Sequence, residues 1–422
     1  MRRKSTILAL TLIGVVAMGM AACDDPKKEI IDEIEDVLVT EIELSLPTLD
    51  LLVGDKETLT VDVLPADAAN RNVEWSSDAT DVATVTGGVV TAVAVGEAKI
   101  TATATDESGV TAVCTVTVER QPDVYVGGRV TYGSPKAVLW VNGVEEQLFD
   151  RDAFVFSIDI AENDDVYVAG WALDSKYAPE ALLWKNGVAA KLSETAGIAH
   201  SVVVSGDDVY VAGMDYGTEN VYKAILWKNG EIEWTGPNYS DAATLCFSGD
   251  DMYITGYVDR DGSRLLAVWK NGVEEILSEG NVSAYPYQMF VSGEDVYVAG
   301  VVDVDGGQNP ANQDKATLWK NGVPQTLSNV RSQAYTVYVS GEDVYVGGYV
   351  AQDDVLAATI WKNGVEETMS DKVSQVTHIN GFGDDIYMVG YIMDPTAKAT
   401  LWKNGVPSTL GDNADAYYVY LK

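Results

Sequence analysis

Asp208-Val209-Tyr210-Val211, then Trp227-Lys228-Asn229-Gly230: this pair of signatures recurs through the last three hundred residues, and its Trp returns at Trp140, Trp184, Trp269, Trp319, Trp361 and Trp402. Successive copies stand about forty-three residues apart. Within one copy, His200 to Ser205 is an apolar run, Ser205-Gly206-Asp207 is a turn, and Asp208 to Asp215 is a second run rich in Val and Tyr. Lys223 to Lys228 reads as a third strand and Glu231 to Thr235 as a fourth. Asn229-Gly230 joins them, because both central residues of a type I′ hairpin turn need positive φ, which Asn and Gly tolerate best. The first three strands are apolar on both faces, whereas the fourth is polar, as in Glu145-Glu146, Glu274-Glu275 and Glu366-Glu367, and so belongs at a rim.

A period of this length that carries only strand patterns predicts a propeller blade rather than a helical solenoid. Seven copies predict a seven-bladed β-propeller over residues 122–422, similar to the WD and kelch-like propellers. Its ends are complementary. The repeats begin at a second strand, Asp123-Val124-Tyr125-Val126, while the C-terminal Ala416-Tyr417-Tyr418-Val419-Tyr420 resembles the first strand Ala334-Tyr335-Thr336-Val337-Tyr338. The last strand is therefore expected to pair with the first repeat and close the ring, which removes two open sheet edges.

Upstream, Arg2, Arg3 and Lys4 precede an apolar stretch from Ile7 to Gly19, and Ala21-Ala22 lead into Cys23. That pattern is a signal peptide, too short to span a bilayer. Met20-Ala21-Ala22-Cys23 resembles the bacterial lipobox, with Met where Leu is usual. The resemblance implies cleavage after residue 22, acylation of Cys23 and an acidic tether over 23–38; several acyl chains on one Cys give stable anchoring. Asp24-Asp25 resembles the surface-export signal of Bacteroidetes lipoproteins, which implies the outer membrane or cell surface, although in enteric bacteria Asp there marks inner-membrane retention.

Residues 39–119 alternate apolar and polar side chains in short runs: Glu41 to Leu46, Glu57 to Val63, Asn72 to Ser76, Ala83 to Val85, Val89 to Ala94, Ala98 to Thr105 and Thr111 to Val118. Such runs predict a β-sandwich. Leu52-Val53-Gly54-Asp55, Val63-Leu64-Pro65, Val73-Glu74-Trp75-Ser76-Ser77, Val82-Ala83-Thr84-Val85 and Gly96-Glu97-Ala98-Lys99-Ile100-Thr101-Ala102 resemble the group-2 bacterial immunoglobulin-like family. The resemblance implies a spacer or adhesion module, with Trp75 in its core beneath both sheets.

Lys and Arg number 28 against 64 Asp and Glu, a formal charge of −36. A chain so acidic repels polyanions, so nucleic acid is excluded as a partner, and the membrane is expected to be met only through the lipid anchor. Cys114 and Cys246 lie in apolar patterns of different domains and read as buried core thiols. Only His200 and His378 are present. No metal motif, nucleophile elbow or phosphate loop occurs, so no metal, cofactor or catalytic residue is assigned and the chain is expected not to be an enzyme. The recurrent Asp of each repeat reads as a turn residue and the recurrent Trp as packing between blades. Asp259-Arg260-Asp261-Gly262-Ser263 and Asp303-Val304-Asp305-Gly306-Gly307 lack the ligand spacing of a calcium loop and also read as turns.

Variation is confined to one face of the ring. There the longest loop runs from Val302 to Lys315, and the innermost strands are expected to begin with Ser157, His200, Ala243, Tyr287, Tyr335, Thr377 and Tyr417. Of these, His200, Tyr287, Tyr335, Thr377 and Tyr417 are the candidate ligand-binding residues, since planar and hydrogen-bonding side chains around a channel suit a sugar or a peptide. The expected function is a monomeric surface module that binds a glycan or an extracellular protein. The alternative is a polysaccharide-degrading hydrolase or lyase, which would need two carboxylates facing each other across the channel.

Overall fold

A computed structural model describes residues 36–131, 133–218, 221–278, 283–303, 314–352 and 355–422. The described chain is all β and divides between Gln121 and Pro122 into two compact units. Cys23, the signal peptide and most of the tether lie outside the described residues, as does most of the Val302 to Lys315 loop with its Asp303 to Gly307 turn.

The N-terminal unit is a sandwich of short strands. One sheet orders Thr48–Leu52, Thr111–Glu119, Gly96–Ala104 and Val73–Ser77; a second contains Lys56–Thr58, Val89–Ala92 and Ala83–Thr86; Glu41–Leu44 pairs with Val61–Leu64. Alternation works as expected, placing Ala98, Ile100, Ala102, Cys114 and Val116 inside. Two runs read differently. Glu57 to Val63 is two strands, because the chain passes from one sheet to another around the buried Leu59. Thr48–Leu52 is an extra strand, parallel to Thr111–Glu119. Trp75 is only half-buried and packs against both clusters of the core.

The C-terminal unit is a seven-bladed propeller. Blade III is Gly197–Ser205, Asp208–Asp215, Lys223–Lys228 and Glu231–Asn238, ordered from centre to rim, and blades IV to VII repeat that order. Blade I takes its central strand from the C-terminus: Ala414–Leu421 pairs antiparallel with Val124–Thr131, matching Tyr125 with Tyr420 and Val126 with Val419. Blades I and II share one strand, Val144–Ile160, whose first half is the rim of blade I and whose second half is the centre of blade II.

The two signatures of the repeat meet in space. In blade III, Asn229 (φ 51°) and Gly230 (φ 86°) make the turn. Asn229 Oδ1 accepts the Val209 N–H at 2.9 Å, and its Nδ2 donates to Asp208 Oδ1 at 2.7 Å. Lys228 reaches the other Asp208 oxygen at 2.8 Å and lies 5.1 Å above the Tyr210 ring. The recurrent Asp is thus the hub of a clamp between two hairpins. Blade I carries Val141 in place of this Lys. Every repeat Trp is 0 to 1 % exposed; Trp227 packs on Ala169 and Ala181 of blade II, and Trp140 on Val389 and Ala399 of blade VII.

Candidate functional site

Each central strand contains a β-bulge at the same place. In blade III, Ala199 pairs with Gly213 and Ser201 with Ala212, so His200 is the extra residue. The same register shift occurs in all seven blades, isolating Phe156, His200, Ala243, Tyr287, Tyr335, Thr377 and Tyr417. Glycine permits it. A Cβ on Gly213 would stand 2.0 Å from the Ile198 carbonyl oxygen, and the equivalent second-strand glycines meet the same obstacle. An extra residue breaks the pleat and re-aims its side chain. All seven line one cavity of about 570 Å3 in the central channel.

Behind each bulge the next residue ties its blade to the following one. Val202 N–H donates to Ser157 Oγ (3.2 Å), Leu245 N–H to Ser201 Oγ (3.2 Å), Val337 N–H to Gln288 Oε1 (2.8 Å), Ile379 N–H to Thr336 Oγ1 (3.0 Å) and Val419 N–H to His378 Nδ1 (3.3 Å). Thr244 Oγ1 instead donates to the Tyr287 carbonyl (3.1 Å). These bonds satisfy channel-facing N–H groups that have no further strand to pair with. Gln288 of blade V and His378 of blade VII also meet across the channel, Nε2 to Nε2 at 3.0 Å. With Tyr418 stacked on His378 at 3.8 Å, they narrow the channel beneath the bulge residues, and the cavity continues past them to Asp159, Cys246 and Tyr420.

The cavity wall is aromatic and holds no Lys or Arg. Tyr287 and Tyr335 meet edge to face at 4.9 Å, and Tyr335 Oη donates to Gln333 Oε1 at 2.8 Å. Burial pushes the phenols of Tyr287, Tyr335 and Tyr417 well up, so all three stay neutral. Burial likewise holds His378 down to about 3. Tyr287 nonetheless keeps 37 % of its surface accessible, so solvent reaches it through the cavity itself. Asp159 lies low in the wall, its carboxyl raised by burial despite N–H bonds from Val204 (2.6 Å) and Ile160 (2.9 Å). Asp241 lies higher, with Oδ1 3.3 Å from His200 Nε2 but off the line of a hydrogen bond.

The sequence-predicted residues His200, Tyr287, Tyr335, Thr377 and Tyr417 all come together in this one cavity. Their place differs from the expected one. They stand inside the central strands, His200 being the fourth residue of Gly197–Ser205, and not at the strand starts. Ser157 is displaced by one: the bulge residue of blade II is Phe156, and Ser157 faces the next blade as its hydrogen-bond acceptor. Cys246 is half-buried, packs against the core cluster of Tyr253, Leu266 and Trp319 and also lines the channel wall, with burial raising its thiol to about 12. Asp241, Gln288 and His378 were not read from sequence as site residues; their only signal was departure from the apolar consensus of the central strand.

Residues 38–116 match the family model of the bacterial Ig-like domain (group 2). An uncharacterized protein of Clostridium acetobutylicum is 42 % identical over 90 residues, covering 21 % of this chain and 9 % of that protein. The minor capsid protein of Enterobacteria phage T3 is 44 % identical over 79 residues, 19 % of this chain and 18 % of its own. The chain thus spans less than a fifth of the length of either relative. Among solved structures, the β-propeller domain of the Trilobed protease from Pyrococcus furiosus is similar at 13 % identity, with 76 % of this chain and 96 % of that one covered and a TM-score of 0.44. A puromycin-hydrolyzing peptidase of Mycobacterium tuberculosis gives 14 %, 81 %, 56 % and 0.46, and dipeptidyl peptidase 4 of Porphyromonas gingivalis 10 %, 79 %, 61 % and 0.34. At such identities the likeness is one of fold. The expectation that this chain is not an enzyme is withdrawn, because the solved structures similar to it include propellers of peptidases. For an Ig-like domain followed by a propeller, fold alone does not choose between a binding and a hydrolytic role.

Proposed function

We propose that this protein is a lipid-anchored cell-envelope module whose propeller holds a glycan or a peptide segment of an extracellular protein in its central channel. The observation that carries this reading is the cavity: a rigid scaffold aims a ring of bulge residues, five of them aromatic or imidazole, into one pocket. Neutral phenols and the absence of Lys and Arg from its wall argue for a ligand that is not a polyanion. Cys23 would carry the anchor, and Met20-Ala21-Ala22-Cys23 supports it. Two experiments test the reading: glycan and peptide arrays probed with the purified protein, and incorporation of radiolabelled palmitate into wild type but not into Cys23→Ser. Arrays without a hit would remove the binding function, and unlabelled wild type would remove the anchor.

One observation favours a second reading, glycosidic hydrolysis. Asp159 and Asp241 come from blades II and IV and line the same cavity, Asp159 with its carboxyl raised by desolvation and Asp241 beside His200. Polysaccharide cleavage lost in both Asp159→Asn and Asp241→Asn would establish it; a complete polysaccharide screen without turnover would dismiss it.

A further inference from the structure

The cavity can be sorted by what its polar atoms still have to give. Thr244 Oγ1 donates to the Tyr287 carbonyl, and Thr377 Oγ1 to the Ala416 carbonyl at 2.8 Å. Tyr335 Oη donates to Gln333, and Tyr417 Oη to Asp415 Oδ2 at 3.3 Å. The hydroxyl protons around the bulge ring are therefore committed to protein acceptors. What remains toward the cavity is aromatic faces, phenol lone pairs, the His200 imidazole and a carboxylate.

That carboxylate is Asp241. One position, two residues before the bulge, holds Asp241 in blade IV and Asp415 in blade I. Asp415 is neutralised by Arg129 at 2.7 Å, and Arg129 in turn lies 4.9 Å above the Phe154 ring. Asp241 faces Tyr257 across the strand pair instead. The nearby Arg264, stacked 3.7 Å over Tyr257, is already paired with Asp259 through two bonds of 2.9 and 3.0 Å. Asp241 is 9 % exposed, its Oδ1 has no hydrogen-bond partner among the described residues, and the nearest imidazole nitrogen, His200 Nε2 at 3.3 Å, is off the line of a hydrogen bond. Blade I shows what such a carboxylate takes here: a cation that also rests on rings.

We propose that the channel pocket receives a primary ammonium group of its ligand, which donates to Asp241 and lies against the faces of the channel tyrosines. An ammonium has three donors and no acceptor, which matches a wall of acceptors and π faces better than a hydroxyl does, since a hydroxyl must also accept. The net charge of −36 draws cations toward the channel from outside. This rests on the channel being the binding site. The amino group could belong to an amino sugar or to the amino terminus of a peptide, and the same chemistry serves both.

Paired probes test it by titration calorimetry on the full-length protein: glucosamine against N-acetylglucosamine, and dialanine amide against its N-acetyl form. The amino member of at least one pair should bind at least ~10-fold more tightly, and the pair that discriminates names the source. Added salt should weaken the amino member only. Asp241→Asn should abolish the preference, while Asp250→Asn, in an exposed turn on the opposite face, should keep it. Equal binding within both pairs, a preference that survives Asp241→Asn, or no binding by either amine overturns the inference. If neutral glycans then still bind and depend on Tyr287 and Tyr335, the pocket stands and only the ammonium fails; if nothing binds, both fail. Should Asp241→Asn lower the melting temperature, the salt dependence of the wild type decides.

Discussion

Closure of the ring by the C-terminal strand can be weighed residue by residue. Val419 is 0 % exposed and packs in the cluster shared by blades VII and I with Trp140 and Val389, while its N–H is held by His378. Val419→Ala removes two buried carbons, about 1.6 kcal/mol of transfer energy, and leaves a cavity that brings the loss to about 2 to 3 kcal/mol. Deletion of 414–422 removes far more: Val419, Ala414 and Ala416 from the core, Tyr418 from its stack on His378, Asp415 from Arg129, and the whole ladder against Val124–Thr131. The loss is then comparable with the 5 to 15 kcal/mol, roughly, that stabilises a typical domain. The substitution should lower the melting temperature of the propeller by several degrees, and the deletion should abolish its cooperative transition or produce oligomers through the exposed edge. Circular dichroism melts with light scattering read both. A deletion that melts at the wild-type temperature as a monomer would refute closure.

Two further outcomes follow from the same geometry. His378 is held near 3 in the folded chain against about 6.5 when unfolded, so below pH 6.5 protons favour the unfolded state, and stability should fall by about 2 kcal/mol from pH 7 to pH 5 on account of this one group. His378→Asn, which keeps an acceptor for Val419 N–H, should flatten the difference between denaturant midpoints at the two pH values; an unchanged slope would contradict the assignment. Gly213→Ala places a Cβ against the Ile198 carbonyl and should cost about 1 to 3 kcal/mol or more, seen as a lower midpoint, whereas Gly206→Ala, with nothing near its Cβ, should cost only the smaller penalty of its positive φ.

How far the sequence reached can be seen at particular residues. Trp-x-Asn-Gly and Asp-Val-Tyr-Val were legible because they combine a turn with one allowed chemistry and a long period, and they meet in the Asp208, Lys228 and Asn229 clamp. The bulge was not legible. Alternation has a period of two, and one inserted residue shifts it without changing composition, which is why Ser157 was placed where Phe156 stands. Gly213 and its equivalents, opposite every bulge, were the available sign. That Cys246 also lines the channel was not legible for a related reason: both sides of a central strand read as apolar, and the pattern does not say which residues reach the channel. The strand Val144–Ile160 runs through two blades across Asp150-Arg151-Asp152, a polar triplet that local signals treat as a loop.

The central claim, that the aromatic tier of the channel is a binding surface and not a plug, meets its most direct test in the double variant Tyr287→Ala with Tyr335→Ala. Both side chains line the cavity, and Tyr287 remains accessible within it. For a ligand found on the arrays, the account predicts at least tenfold weaker binding, about 1.4 kcal/mol, at a nearly unchanged melting temperature. Unaltered affinity, or collapse of the fold, would contradict it and make these tyrosines part of the packing.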